Sequence, residues 1–184
     1  FLMPMGRSGP VLLALFQRYF PQIRKVIHMD TDSLVAFEWI GAENYLREKV
    51  RPGTQRVRGS YSTSVDAAVL FETEGGKRIM VLIEWKYSEP YTDKSYKYSD
   101  NGTDRATIYR HLWESERCPI DKTKVTDFDS LFHEPFYQFM RQQCLANEME
   151  HAHELGADEV YLMHLSPKAN TDFRTITSAA LRPF

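Results

Sequence analysis

The chain is poor in cysteine and has no long apolar run, and each scarcity excludes something. Two cysteines, Cys118 and Cys144, in 184 residues make neither a disulfide framework nor a zinc cluster. A reducing, cytoplasmic setting fits them best. The longest N-terminal apolar run, Val11 to Phe16, is far too short to cross a bilayer and lacks the small-residue cleavage site of a signal peptide, so no membrane partner is expected. There is no Walker loop, no Rossmann glycine pattern and no nucleophile elbow, and no internal repeat or low-complexity tract. Net charge is −2, too small for bulk charge to name a partner. His151 and His153, two apart on an expected helix, face different directions and are poor zinc ligands. His164 reads as a hydrogen-bonded strand residue. The chain begins at Phe1 rather than Met, which leaves open whether further sequence precedes it.

What is present is enough apolar sequence for one domain over residues 1–184. Leu12, Leu13, Phe16, Phe20 and Ile23 have helical spacing across residues 9–27, with a break or restart at Pro21. Residues 33–40 read as a strand, and 41–60 as irregular or partly helical. Residues 65–72 and 78–87 read as strands joined around Gly75-Gly76, a hairpin signal. Residues 88–133 form a polar, tyrosine-rich insertion with a short helix around 103–115. Residues 135–155 give the clearest helix, with Pro135 in its first turn, Gly156 as its stop and an apolar stripe of Leu145, Met149 and Ala152. Residues 159–165 form the last strand. This order predicts an α/β (α+β) fold around one mixed central sheet, with the core elements α-β-β-β-α-β and the insertion ahead of the second core helix.

The second hairpin strand is apolar from Ile79 to Ile83 and then carries Glu84, Trp85 and Lys86. Strand alternation puts Met80, Leu82, Glu84 and Lys86 on one face. A hairpin symmetric about Gly75 sets Asp66 opposite Glu84. A turn centred between Gly75 and Gly76 turns Asp66 away, unless a bulge restores the register. The first register is favoured because it gathers three polar groups at one end of an apolar sheet face. Two carboxylates placed there repel each other and lose hydration. Lys86 alone does not easily neutralise both, whereas a divalent ion with hard oxygen ligands does, which points to Mg2+ or Mn2+. An E-x-K triplet taken alone is better read as a solvated strand face with a weak ion pair; the apolar run ahead, the hairpin behind and Asp66 on the adjacent strand are what favour a site.

Asp66, a hairpin and then Glu84-Trp85-Lys86 resemble the PD-(D/E)XK nuclease superfamily. The blocks "TSVDAAVLF…VLIEWKYSEPY", "LFHEPFYQFMRQQCLA" and "FEWIGAENYL" are similar to a bacterial family of restriction-endonuclease-like proteins. That resemblance implies a restriction-endonuclease-like core and a metal-dependent phosphodiester hydrolase, a DNA endonuclease using a metal-activated water. Asp66, Glu84 and the Trp85 backbone carbonyl would hold Mg2+ or Mn2+, and Lys86 would be the catalytic lysine. Gln138 and Gln142, one turn apart, fall where several such nucleases place a glutamine, although a polar helix end reads equally well. Many members carry a glutamate on the first helix. Residues 9–27 contain no acid, which leaves Glu38 or Glu43 as candidates for that place. A catalytically inactive nucleic-acid-binding or regulatory module on the same fold is the alternative, and a third reading is a metal-free hydrolase using Asp66 and Glu84 as an acid/base pair.

Nucleic-acid contacts, to DNA by the same resemblance, are expected from Arg51, Arg56 and Arg58, from Lys94 and Lys97 among the insertion's tyrosines, and from Arg141. Solvated loops compete with that reading. Restriction enzymes often dimerise to cut both strands, so a homodimer is carried forward, though nothing in the sequence marks an interface.

Overall fold

The structure is a computed structural model, and it describes residues 6–48, 55–58, 62–87, 94–125 and 127–171. Five strands form one mixed sheet: β1 (Ile23–Ile27), β2 (Val35–Trp39), β3 (Val65–Thr73), β4 (Arg78–Trp85) and β5 (Glu159–Leu165). Three helices accompany it among the described residues: α1 (Gly9–Phe16), α2 (Ala106–Glu114) and α3 (Phe136–His151). The pairings β1–β3, β2–β3 and β3–β4 are antiparallel, and β4–β5 is parallel. β1 takes positions 70–73 of β3 and β2 takes positions 65–69, so these two short strands share one edge of β3 end to end. No helix among the described residues is long and apolar enough to cross a membrane.

The β3–β4 register is fixed by a tight turn. Gly76 has φ +80°, a conformation that glycine adopts without strain, and its N–H closes the turn on the Thr73 carbonyl at 3.0 Å. Ala67 pairs with Ile83 and Ala68 with Leu82, which continued by one residue sets Asp66 across from Glu84. Alternation then sorts the two faces. Ala67, Val69, Phe71, Ile79, Val81 and Ile83 pack with Leu12 and Phe16 of α1. Ala68, Leu70, Met80 and Leu82 pack with Met140, Leu145 and Met149 of α3, and this second face is the one that carries Asp66 and Glu84.

Three expectations are corrected. The segment after Pro21 is a strand: α1 ends at Phe16, and β-branched Ile23, Val26 and Ile27 add to the β3 edge, where such side chains fit. α3 ends at His151, and Ala152 is exposed rather than part of the apolar stripe. The described part of the 88–133 insertion contributes to the core. Its Ala106, Tyr109 and Leu112 are buried with Phe128, Leu131 and Phe132 against Tyr137 and Met140 of α3.

Candidate active site

Three adjacent strands place one polar residue each in a row across the α3 face, and Glu38 of the fourth adjoins it. Glu84 of β4 pairs directly with His164 of β5. The β3–β4 register puts Asp66 on the other side of Glu84, and the β2–β3 register (Phe37 with Ala67, Trp39 with Val65) puts Glu38 beside Asp66. Glu38 has φ +49°, a left-handed conformation that costs a non-glycine residue about 1–2 kcal/mol. It accepts a hydrogen bond from the Ser64 hydroxyl at 2.9 Å.

Glu84 is only 4% exposed, and its charge is met by surrounding donors. Oε1 accepts from Gln138 Nε2 and lies 3.1 Å from Lys86 Nζ. Oε2 accepts from Gln142 Nε2 at 2.7 Å. Gln138 and Gln142, one turn apart at the start of α3, therefore grip both carboxylate oxygens. Lys86 follows β4 directly, and its backbone N–H is held by the Leu165 carbonyl at 2.8 Å. That bond extends the parallel ladder by one residue and fixes the lysine's position.

Asp66 is less well compensated. Its Oδ2 accepts from the Trp85 backbone N–H at 2.7 Å. Burial pushes its pKa up to about 6, with the charges of Glu84 and Glu38 adding to the rise and the Trp85 N–H and Lys86 opposing it. His164 is pulled down to about 4, by burial first and then by the Lys86 charge, so it is neutral at pH 7. Its Nε2 lies 3.0 Å from Gln142 Oε1.

A second polar cluster adjoins through Arg141. Glu48 accepts from the Thr63 N–H (2.6 Å), the Thr63 hydroxyl (2.5 Å) and the buried Tyr109 hydroxyl (2.7 Å). Arg141 Nη1 donates to Thr63 Oγ1 at 3.2 Å, and its guanidinium lies 4.4 Å from the centre of the Tyr137 ring. Glu134, just ahead of α3, has a raised pKa, chiefly from burial, with Arg141 and Lys86 lowering it and Glu84 raising it.

The structure thus brings Asp66, Glu84, Lys86, Gln138, Gln142 and Glu38 together. Glu43 stands apart, exposed in a loop whose Ala42 N–H and Tyr45 hydroxyl are held by Glu154. The basic candidates are engaged within the chain. Arg56 donates to the Ile40 carbonyl at 2.6 Å, and Arg58 forms two 2.8 Å bonds to Asp30. Lys97 pairs with Asp129 at 2.5 Å, and Lys94 lies 3.9 Å from Asp100. Arg51 lies outside the described residues. Sequence reasoning missed Glu48, Thr63, Tyr109 and Glu134, because nothing local marks long-range partners. The alternation of β5 was the one available signal that His164 faces inward.

Among the described residues, no three acidic, histidine or cysteine side chains form a ready-made metal cage. The donor chemistry nonetheless fits a hard cation. Magnesium keeps most of its waters and needs only one or two protein carboxylates, and Asp66 is a half-buried acid whose raised pKa such a charge would reverse.

The site is thus an antiparallel hairpin with an acid on each strand, a lysine two residues beyond the second acid, and a helix laid over them. The chain belongs to the family described as restriction endonuclease associating with ARP, which matches residues 1–183. Comparison with curated proteins and with solved structures returns no match.

Proposed function

We propose that this chain is a metal-dependent nuclease of PD-(D/E)XK type, with a restriction-endonuclease-like core, that hydrolyses phosphodiester bonds in DNA. The observation that supports it most is the convergence of Asp66, Glu84 and Lys86 at the polar end of one apolar sheet face. Family membership supports the nuclease class, and the wider association with ARP in the family's description makes a companion molecule part of the proposal.

Asp66 and Glu84, with the Trp85 carbonyl, would hold Mg2+ or Mn2+. The ion would supply a more acidic bound water and stabilisation of charge developing on the phosphate. Lys86 Nζ, next to Glu84 and largely withdrawn from solvent, is placed to orient the attacking water and to counter charge on a phosphate oxygen. Gln138 and Gln142 hold Glu84 in one rotamer, so the acid keeps its place without a bound ion. Glu38 is the nearest further acid beside the row and would take the place of the glutamate missing from the first helix. Arg141, adjacent to the site, would have to leave Thr63 and the Tyr137 ring to meet the substrate backbone, as Arg56 and Arg58 would have to give up their own internal partners.

The engagement of both Glu84 oxygens by protein donors favours a second reading, a non-catalytic nucleic-acid-binding module on this fold. Cleavage of supercoiled plasmid with Mg2+, Mn2+ or EDTA separates the two, run on wild type beside Asp66→Ala and Lys86→Ala. Metal-dependent nicking lost in both variants is the expected result. Wild-type DNA binding with no nicking in either metal would establish the binding module.

A further inference from the structure

His164 ends the polar row, and the proposed chemistry does not use it. It faces Glu84 from the neighbouring parallel strand, yet its ring nitrogen meets Gln142 instead, at 3.0 Å. Gln142 is 1% exposed, so its amide has no solvent to satisfy it in either orientation. A glutamine amide has one accepting and one donating end. Glu84 Oε2 is an acceptor at 2.7 Å, so the NH2 end must face it. The carbonyl end then faces His164, which must donate. A neutral imidazole has a single N–H, and here it belongs on Nε2. The ring itself packs against Phe139 with centroids 4.5 Å apart, which restrains its plane.

We infer that His164 is a positioning residue: through Nε2–H it orients the Gln142 amide, and Gln142 in turn holds Glu84 Oε2, leaving Oε1 as the oxygen that exchanges Lys86 and Gln138 for a cation. An amide rotated by half a turn would aim its carbonyl oxygen at the Glu84 carboxylate, an arrangement of two acceptors with no hydrogen between them. In its Nε2–H tautomer His164 opposes that state, because it offers a donor where the rotated amide would present a second donor, and so adds to the hold of Glu84 Oε2 and the Ser64 carbonyl on the NH2 end. This inference rests on the metal-dependent reading above.

The test is the affinity for Mn2+ of the full chain, measured by calorimetry without substrate. His164→Phe keeps the ring stack with Phe139 and removes the donor. His164→Gln keeps a donor near the position of Nε2. His164→Phe is expected to weaken Mn2+ binding about tenfold, the equivalent of about 1.4 kcal/mol, and His164→Gln to recover most of that loss. His164→Phe combined with Gln142→Ala is expected to bind no more weakly than Gln142→Ala alone, since the histidine acts only through that amide. A merely structural role would give additive losses and no rescue by glutamine. Unchanged Mn2+ affinity in His164→Phe, or additive losses in the double variant, overturns the inference and leaves the nuclease reading intact. Absence of Mn2+ binding by wild type overturns both.

Discussion

Asp66→Asn is expected to make the metal-free protein more stable at neutral pH. The Asp66 carboxyl has a pKa near 6 in the folded chain against 3.8 as the ordinary value. The folded state therefore holds this proton more tightly than the unfolded state. As pH rises from about 4 to about 6 the unfolded chain releases it first, and stability falls through that window. The full shift of about 2 pH units corresponds to about 3 kcal/mol at one unit per 1.36 kcal/mol. Asp66 is half-buried, so solvent screening reduces this to about 1.5 kcal/mol. Asparagine removes the charge and keeps an oxygen that accepts from the Trp85 N–H. Urea unfolding in EDTA should show the variant ahead by about 1.5 kcal/mol at pH 7.5, with that lead shrinking to about 0.5 kcal/mol at pH 4.5. Saturating Mg2+ should raise the wild-type midpoint and leave that of the variant nearly unmoved. A lead that does not change between the two pH values would refute the electrostatic account of Asp66.

Glu38→Gly is expected to stabilise the chain by about 1 kcal/mol in urea unfolding, because it relieves the left-handed backbone at φ +49°, whereas glycine in an ordinary strand position costs about that much. A loss of stability would show that the Glu38 contact with Ser64 outweighs the backbone strain. Tyr109→Phe removes the 2.7 Å bond to Glu48 and should cost about 1.5–3 kcal/mol, the range for a hydrogen bond to a charged group. No change in urea midpoint would mean that the Glu48 cluster is satisfied without the tyrosine.

What the sequence discloses and what it hides follow from the range of the interactions. The register that sets Asp66 against Glu84 was half legible: the double glycine marks the turn but allows two registers, and the one observed is the one favoured because, with side-chain direction of period two in a strand, it gathers Asp66, Glu84 and Lys86 at one end of an apolar sheet face. The grip of Gln138 and Gln142 on Glu84 was half legible: their spacing puts them on one helix face, but nothing in it says that the face lies over β4. β1 was misread because apolar residues at Phe16, Phe20 and Ile23 satisfy helical spacing, and only the tertiary edge of β3 decides otherwise. The short helix expected around 103–115 is present as Ala106–Glu114, but the insertion's polar composition hid that Ala106, Tyr109 and Leu112, recurring every three residues, form a buried face. The Arg58–Asp30 pair and the closing of Glu48 on Thr63 and Tyr109 join residues 15 or more apart, for which no local pattern exists.

The two acids of the row are treated in opposite ways, and that difference bears on what the site is for. Glu84 is the more deeply buried, yet Gln138, Gln142 and Lys86 surround it with donors, and a buried carboxylate so satisfied is compatible with a stable fold. Asp66 has the Trp85 N–H on one oxygen and two like charges for strand neighbours. Burying an acid beside other acids lowers stability wherever no cation offsets it. The hairpin is otherwise a well-packed apolar pair, and a serine or asparagine at position 66 would serve it better. An acid kept there at a cost of about 1.5 kcal/mol is explained if it meets a positive charge in the working state. Glu84 would then be the preset half of the site. Asp66 would be the half whose unfavourable charge drives cation binding, so that part of the affinity for the ion is stored as strain in the empty fold.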